Sequence, residues 1–167
     1  KSIDQILKAG WYLLDLINEI LDLALIESGK LSLSLEPSAL AELMHECQAM
    51  IEPQAQKRGI RVTFPRFETR YFVKADRTRV KQVLINLLSN AIKYSPPKGK
   101  VEIAVTQQND RLRVTVTDQG SGIPAEFHNK IFQKFSQADS SDTRQKGGTG
   151  LGLSITKAIV EKMGGQI

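Results

Sequence analysis

Two glycine-rich groups hold the residues best suited to chemistry: Asp118-Gln119-Gly120-Ser121-Gly122-Ile123-Pro124 and Gly147-Gly148-Thr149-Gly150-Leu151-Gly152-Leu153. Glycine admits backbone conformations and close approaches that a side chain would block, and it costs stability where neither is needed. From Leu151 onward the apolar residues Leu151, Ile155, Ala158, Ile159 and Met163 recur at helix spacing. The second group therefore feeds a helix start, where free N–H groups and the positive end of the helix dipole favour phosphate. A flexible loop before an ordinary helix is the alternative. No GxxxxGK[ST] run occurs, and the glycines at 148, 150 and 152 lack the last glycine of the dinucleotide fingerprint. The spacing thus belongs to neither familiar phosphate motif.

A second constellation lies upstream. Arg79, Gln82, Asn86, Asn90 and Lys93 fall on one narrow sector of a helix predicted over Arg77 to Tyr94, behind a capping Asp76. Such a stripe is either solvated surface or a set of positioned groups. Asparagine is a mediocre helix former, its carbonyl can ligate a hard cation such as Mg²⁺, and a lysine one turn further on adds a point charge for phosphate. A third residue, Asp118, extends the alternation Leu112, Val114, Val116 by one step. This predicts a carboxylate facing inward at the end of a buried strand, where it needs donors to accept from. It either caps its own loop or awaits a ligand amine such as that of adenine.

These residues need elements to position them. From Ile3 to about Glu27, Ile6, Leu13, Ile17, Ile20 and Ala24 follow heptad spacing, with Leu7, Leu14 and Leu21 widening the stripe. A helix this long expects a partner helix and protrudes as part of a bundle; a core helix is the alternative. Gly29 supplies a stop. Leu31, Leu33 and Leu35 alternate with serines as a short strand ending at Pro37, and Ser38 is placed to cap a second helix running to about Lys57. Strands are expected at Ile60–Phe64 and Tyr71–Lys74, and two more, with alternating Val101, Ile103, Val105 and Leu112, Val114, Val116, after the Asn-bearing helix. Phe132-Gln133-Lys134-Phe135 precedes a polar run from Ser136 to Lys146, a candidate lid in which Arg144 and Lys146 bring positive charge.

Composition sets the bounds. The 167 residues are 41% hydrophobic and 25% charged with net charge +5, which suits a globular protein that binds acidic small ligands. The basic residues are scattered rather than striped, which argues against nucleic acid. No run approaches a membrane span. The single cysteine, Cys47, excludes an internal disulfide and fits a reducing, cytoplasmic setting. Inert packing is expected of it, and neither His45 nor His128 makes metal-ligand spacing with it.

Four motifs now carry a resemblance. Asn86-Leu-Leu-Ser-Asn90-Ala-Ile-Lys93-Tyr94, Asp118-Gln-Gly120-Ser-Gly122, Phe132-Gln-Lys-Phe135 and Gly148-Thr-Gly150-Leu-Gly152-Leu resemble, in order and spacing, the N, G1, F and G2 boxes of sensor histidine kinases. The segment from Leu14 to Leu31 resembles the second dimerisation helix of that family. The resemblance implies an α+β fold, a two-layer α/β sandwich with a mixed sheet of the Bergerat type shared with gyrase, Hsp90 and MutL, preceded by the long bundle helix. It divides the chain into helix (1–30), linker (31–37) and catalytic ATP-binding domain (38–167).

The resemblance also implies roles. Asp118 holds the adenine amino group, Asn90 ligates Mg²⁺ with help from Asn86, Lys93 contacts phosphate, and Tyr94 stacks near the base. Gly120, Gly122 and Ile123 line the base side. The glycines of the last box, Gly148, Gly150 and Gly152, line the triphosphate, with Thr149, Leu151 and Leu153 beside them in the nucleotide site. Lys134, Arg144 or Lys146 is left to do the work of the arginine that many relatives carry in place of Gln137. The implied activity is transfer of the ATP γ-phosphoryl group to a histidine, with relay to a response regulator and dimerisation through the helical bundle. Superfamily hydrolases are similar in carrying a glutamate base where this chain has Asn86, which favours transfer to a protein side chain over transfer to water. Three departures accompany the likeness: no phosphoacceptor helix is present, the sheet is expected to lack its last strands beyond Ile167, and Gln137 stands where many relatives have arginine. A non-catalytic nucleotide-binding or docking module is the competing reading.

Overall fold

The computed structural model describes residues 1–136 and 149–167. Arg144, Lys146, Gly148 and the polar run expected to act as a lid therefore lie outside the described residues. The first helix, α1 (Ser2–Glu27), has no buried residue. The expected heptad stripe is on its open side, with Ile6, Leu13, Ile17 and Ile20 exposed. A different edge, carrying Leu16, Leu23 and Ile26, packs against Leu31, Val83, Leu151, Ile155 and Ile159. The helix is thus exposed along its length and docked at its C-terminal half. Gly29, at φ 72°, turns the chain after it, a conformation that glycine adopts without strain.

The stretch after that turn departs from expectation. Leu31, Leu33 and Leu35 form no strand, because Leu31 and Leu33 insert into the cluster beneath α1, and the Ser34 amide donates to Asp76 Oδ2 at 3.0 Å rather than to a ladder. The strand β1 is instead Glu36–Ala39. It tolerates Pro37 because it pairs on one side only, antiparallel to Phe72–Ala75. Ser38 does not cap a helix. It is buried within β1 with its hydroxyl on the Glu36 carbonyl, and α2 (Leu40–Arg58) begins behind Ala39 without a side-chain cap. The Leu40 amide is satisfied by the Tyr71 carbonyl at 3.0 Å.

The remaining elements follow the predicted order: β2 (Arg61–Thr63), β3 (Phe72–Ala75), α3 (Arg77–Tyr94), β4 (Lys100–Gln108), β5 (Arg111–Thr117), a short 3₁₀ turn (Ala125–Phe127) and α4 (Gly152–Lys162). β4 pairs parallel with β2 and antiparallel with β5, so the sheet is mixed, in the order β2-β4-β5. Its inward residues Val101, Ile103, Val105, Leu112, Val114 and Val116 meet Leu40, Met44, Cys47, Leu84, Leu88 and Ile92 of α2 and α3. The opposite face is open, with Glu102, Ala104, Arg113 and Thr115 exposed. One helical layer on one face of a mixed sheet is the expected α+β sandwich. Cys47 is fully buried in that core, and burial pushes its thiol up to about 11, so it packs rather than reacts. No described helix is long and apolar enough to cross a membrane.

Candidate functional site

Helix α3 is the axis of the site because it touches both glycine-rich turns. Asp76 starts it, accepting from the Arg79 amide at 3.1 Å, and Ser95 ends it where the chain turns extended before Pro96. At its C-terminal end, Gly120 packs directly on the Tyr94 carbonyl. A methyl group at Gly120 would come within 2.7 Å of that oxygen. About two turns upstream, Gly152 packs on Asn86, where a methyl would come within 2.6 Å of Asn86 Oδ1. Both glycines are therefore required for close approach to the same helix.

Asp118 requires a correction. β5 stops at Thr117 and Asp118 is exposed, not buried at a strand end. The chain leaves the sheet there through a turn closed by the Asp118 carboxylate, which accepts from the Gly120 amide at 2.9 Å. The side chain is consequently held at the rim, and among the described residues no hydrogen bond engages its second oxygen. Ser95 and Gln119 fix the same corner: the Gln119 amide reaches Ser95 Oγ at 3.4 Å, and Gln119 Oε1 accepts from the Lys100 amide at 2.9 Å. Beyond it, Gly122 takes φ 81° in open space, Ile123 is exposed, and the Ile123 carbonyl meets His128 Nε2 at 2.8 Å.

At the other turn, Gly150 takes φ 75°, and its carbonyl accepts from the Phe135 amide at 2.8 Å. A methyl at Gly150 would meet Phe135 Cα at 2.7 Å. Its glycine is thus explained by packing on the Phe132–Phe135 motif. Thr149 Oγ1 accepts from the Leu151 amide at 3.2 Å. Leu151 is fully buried and Leu153 half-buried. α4 begins at Gly152 with no side-chain cap, which leaves its first amides to other partners.

The expected stripe on α3 divides in two. Asn86, Asn90 and Lys93 are half-buried beside the turns. Asn86 Nδ2 donates to Thr156 Oγ1 on α4 at 2.9 Å, and Lys93 Nζ lies 5.9 Å from the Tyr94 ring centroid. Arg79 and Gln82 instead turn to α1: Arg79 Nη1 and Gln82 Nε2 each donate to the Asp22 carboxylate at 2.8 Å. Two more acidic residues of α1 reach the site. Glu19 accepts from the Thr149 hydroxyl and Glu27 pairs with Lys134. Burial raises the Glu19 carboxyl above its ordinary range, against the lowering effect of the Thr149 hydroxyl and of the nearby Lys93 charge.

Thr156, Glu19 and Asp22 were not legible as site residues. Thr156 lies one turn after Gly152, yet it is buried at 3% exposure, and a hydroxyl in that position is the signal that could have marked it. A separate shallow groove of about 370 Å³, lined by Ala41, Glu42, His45, Glu46 and Arg77, belongs to α2 and the start of α3. Its main charges are already paired, Arg77 with Glu46 at 2.6 Å, and it includes none of the predicted site residues.

Residues 75–167 match the family described as histidine kinase-, DNA gyrase B- and HSP90-like ATPase. The circadian input-output histidine kinase CikA of Synechococcus elongatus is 44% identical over 161 residues, which is 95% of this chain and 21% of that kinase. Full-length ShkA in complex with AMPPNP superposes with a TM-score of 0.81 at 29% identity, over 94% of this chain and 32% of that one. Histidine kinase ThkA in complex with the response regulator protein TrrA gives 0.75 at 33% identity, over 99% of this chain and 45% of that one. The chain therefore spans between about a fifth and a half of the length of these relatives.

Proposed function

Because the chain belongs to the histidine kinase-, DNA gyrase B- and HSP90-like ATPase family, we propose that it acts as the ATP-binding catalytic module of a sensor histidine kinase, passing the ATP γ-phosphoryl group to a histidine for relay to a response-regulator aspartate. The observation that carries this reading is the contact of α3 with both glycine-rich turns, through Tyr94 at one and Asn86 at the other. Those residues are separated by about 12 Å of helix rise. That span suits a nucleoside triphosphate laid along the helix, base toward Asp118 and phosphates toward the uncapped start of α4.

In this arrangement the rim-held Asp118 carboxylate accepts a hydrogen bond from the adenine amino group, and Tyr94 and Ile123 present apolar surface to the base. Lys93, and Lys134 once released from Glu27, supply positive charge to the phosphates, with Arg144 and Lys146 assigned the same task. Gly148, Gly150 and Gly152 admit the phosphates to the backbone. Mg²⁺ is consistent with the donor set. Among the described residues no three carboxylates, histidines or cysteines cluster as ligands, and amide oxygens of Asn90 and Asn86 with phosphate oxygens and water are a set that Mg²⁺ accepts. The ion would neutralise charge on the transferred group. No carboxylate stands at Asn86 to activate water, and an amide cannot serve as a base, which supports transfer to a side chain over hydrolysis.

The open apolar stripe of α1 supports homodimerisation through a helical bundle, and the likeness to ThkA in its complex with TrrA supports a receiver domain as partner. A cytoplasmic location accords with both. One observation favours the second reading, a docking module without catalysis: Thr149 and Lys134 are engaged by Glu19 and Glu27 of α1. Binding of a fluorescent ATP analogue with and without Mg²⁺ tests the nucleotide site, and Asp118→Ala should abolish it. Transfer of label from ATP to a supplied acceptor helix then separates the readings, since a module that binds nucleotide yet never transfers would leave only the docking role.

A further inference from the structure

We propose that Thr156 is a positioning residue: its buried hydroxyl holds the Asn86 amide so that the amide oxygen, not the nitrogen, is the end offered to the Mg²⁺–nucleotide complex. The inference rests on the nucleotide-binding reading above and adds a residue outside all four motifs. Thr156 is among the few buried polar residues, at 3% exposure, in the middle of α4 between the apolar Ile155 and Ile159. A threonine there is costly unless its hydroxyl is paired. Its partner is Asn86 Nδ2 at 2.9 Å, contributed by a different helix.

The geometry explains why the pairing matters. A primary amide has two ends, one donating and one accepting, of nearly the same size and shape. Only the oxygen end can ligate a hard cation. On α3, Asn86 is free to rotate unless something fixes it. Gly152 gives it room, since a methyl there would lie 2.6 Å from Oδ1 and 3.1 Å from Nδ2. Thr156, one turn along the same helix face, takes the nitrogen end. The two α4 residues thus act together, Gly152 as the space and Thr156 as the acceptor. α4 reads the orientation of a side chain on α3 at the place where the glycine-rich turn passes into the helix. Groups that orient a metal-binding side chain commonly change metal affinity by about 10–100-fold when removed.

Two conservative substitutions test this. Thr156→Val keeps shape and removes the hydroxyl; Thr156→Ser keeps the hydroxyl and removes a methyl. The first readout needs no ligand: the Asn86 side-chain NH₂ protons, followed by NMR in the free protein, should exchange slowly in the unmutated chain and in Thr156→Ser, and at least tenfold faster in Thr156→Val. Equal exchange in all three overturns the positioning role, whatever the protein binds. The second readout is the ratio of ATP-analogue affinity in Mg²⁺ to that in EDTA. Thr156→Val should lower this ratio about tenfold while leaving the EDTA affinity and the melting temperature close to their unmutated values, and Thr156→Ser should preserve it. A full Mg²⁺ enhancement in Thr156→Val overturns the inference. An unmutated chain that binds no nucleotide overturns the reading beneath it, and the exchange result then stands as a structural fact alone.

Discussion

Removing the Asp22 carboxylate should loosen the docking of α1 on the rest of the molecule. Asp22 receives Arg79 Nη1 and Gln82 Nε2 at 2.8 Å each, and Arg79 Nη1 also reaches Gln82 Oε1 at 2.8 Å. The charged pair is about one-fifth exposed on each side, so water screens it only in part. Hydrogen bonds to charged groups contribute about 1.5–3 kcal/mol each when dry, and exposed ion pairs about 0.2–1 kcal/mol. Two such bonds in this intermediate setting are worth about 2 kcal/mol together. Leu16, Leu23 and Ile26 are half-buried against the α4 cluster, and at about half of a full side-chain burial each they add about 3 kcal/mol. Asp22→Ala therefore removes about two-fifths of what these two groups of contacts contribute, roughly a thirtyfold rise in the undocked population. Hydrogen–deuterium exchange of α1 amides from Leu16 to Glu27, and of Leu151 to Ile155 beneath them, is the assay. Asp22→Asn, which keeps an acceptor, should give a smaller rise. Arg79→Ala should match Asp22→Ala, and the double variant should exceed neither by much, because the two changes remove one interaction. Exchange within twofold of the unmutated protein in Asp22→Ala would refute the reasoning, leaving docking to apolar packing and the Glu19 and Glu27 contacts.

Three further outcomes are expected. Gly120→Ala forces a methyl against the Tyr94 carbonyl, which is backbone and cannot swing away; a loss of about 1–3 kcal/mol by denaturant unfolding should accompany weaker nucleotide binding. The Asp76 carboxyl is held below its ordinary range, first by the Ser34 amide and also by the Arg79 amide. Its contribution is therefore present above the ordinary carboxylate pKa and lost as pH falls through the depressed value, so Asp76→Ala should cost about 1 kcal/mol at neutral pH and nothing in strong acid. Glu19 has the opposite sign: burial first, against the Thr149 hydroxyl, raises it. The docked state is then favoured at low pH and loses that contribution as pH rises through the raised value. Glu19→Gln should consequently increase α1 protection at neutral pH, with a difference that vanishes in acid.

Much of the fold was legible because it is written in local periodicity. α3 is an example: Asp76 as its cap, an apolar face at helix spacing and the Ser95-Pro96 stop together leave little freedom. The β4–β5 pair is another, since alternation fixes which face is buried. The errors arose where a nonlocal partner overrode a local signal. Leu31 and Leu33 alternate like a strand but are taken by the α1–α4 cluster, and Ser38 reads as a cap but is consumed by β1. At the site, the motifs located the two turns and the asparagines, whereas the partners of those groups were invisible. Nothing in the order of residues says that Asp22 meets Arg79, or that Thr156 meets Asn86, because those contacts join helices far apart in sequence.

The clasp between Phe135 and Gly150 has a consequence for how this protein can change over time. With the Phe135 amide on the Gly150 carbonyl and the two backbones in contact, the sequence from 137 to 148 joins two points already held together by other parts of the molecule. The entropy of closing a loop rises slowly with its length, by about 0.6 kcal/mol per doubling. A change of length in that stretch therefore alters the closure entropy of the turn at Thr149–Gly152 only slightly. For the fold, length is the freer variable there, whereas the charges of Arg144 and Lys146 and the glycine at 148 stay tied to the phosphate role proposed for them, and the α3 contacts of Gly120 and Gly152 stay under steric selection. The clasp thereby separates a stretch whose length the fold tolerates from a turn whose shape it does not.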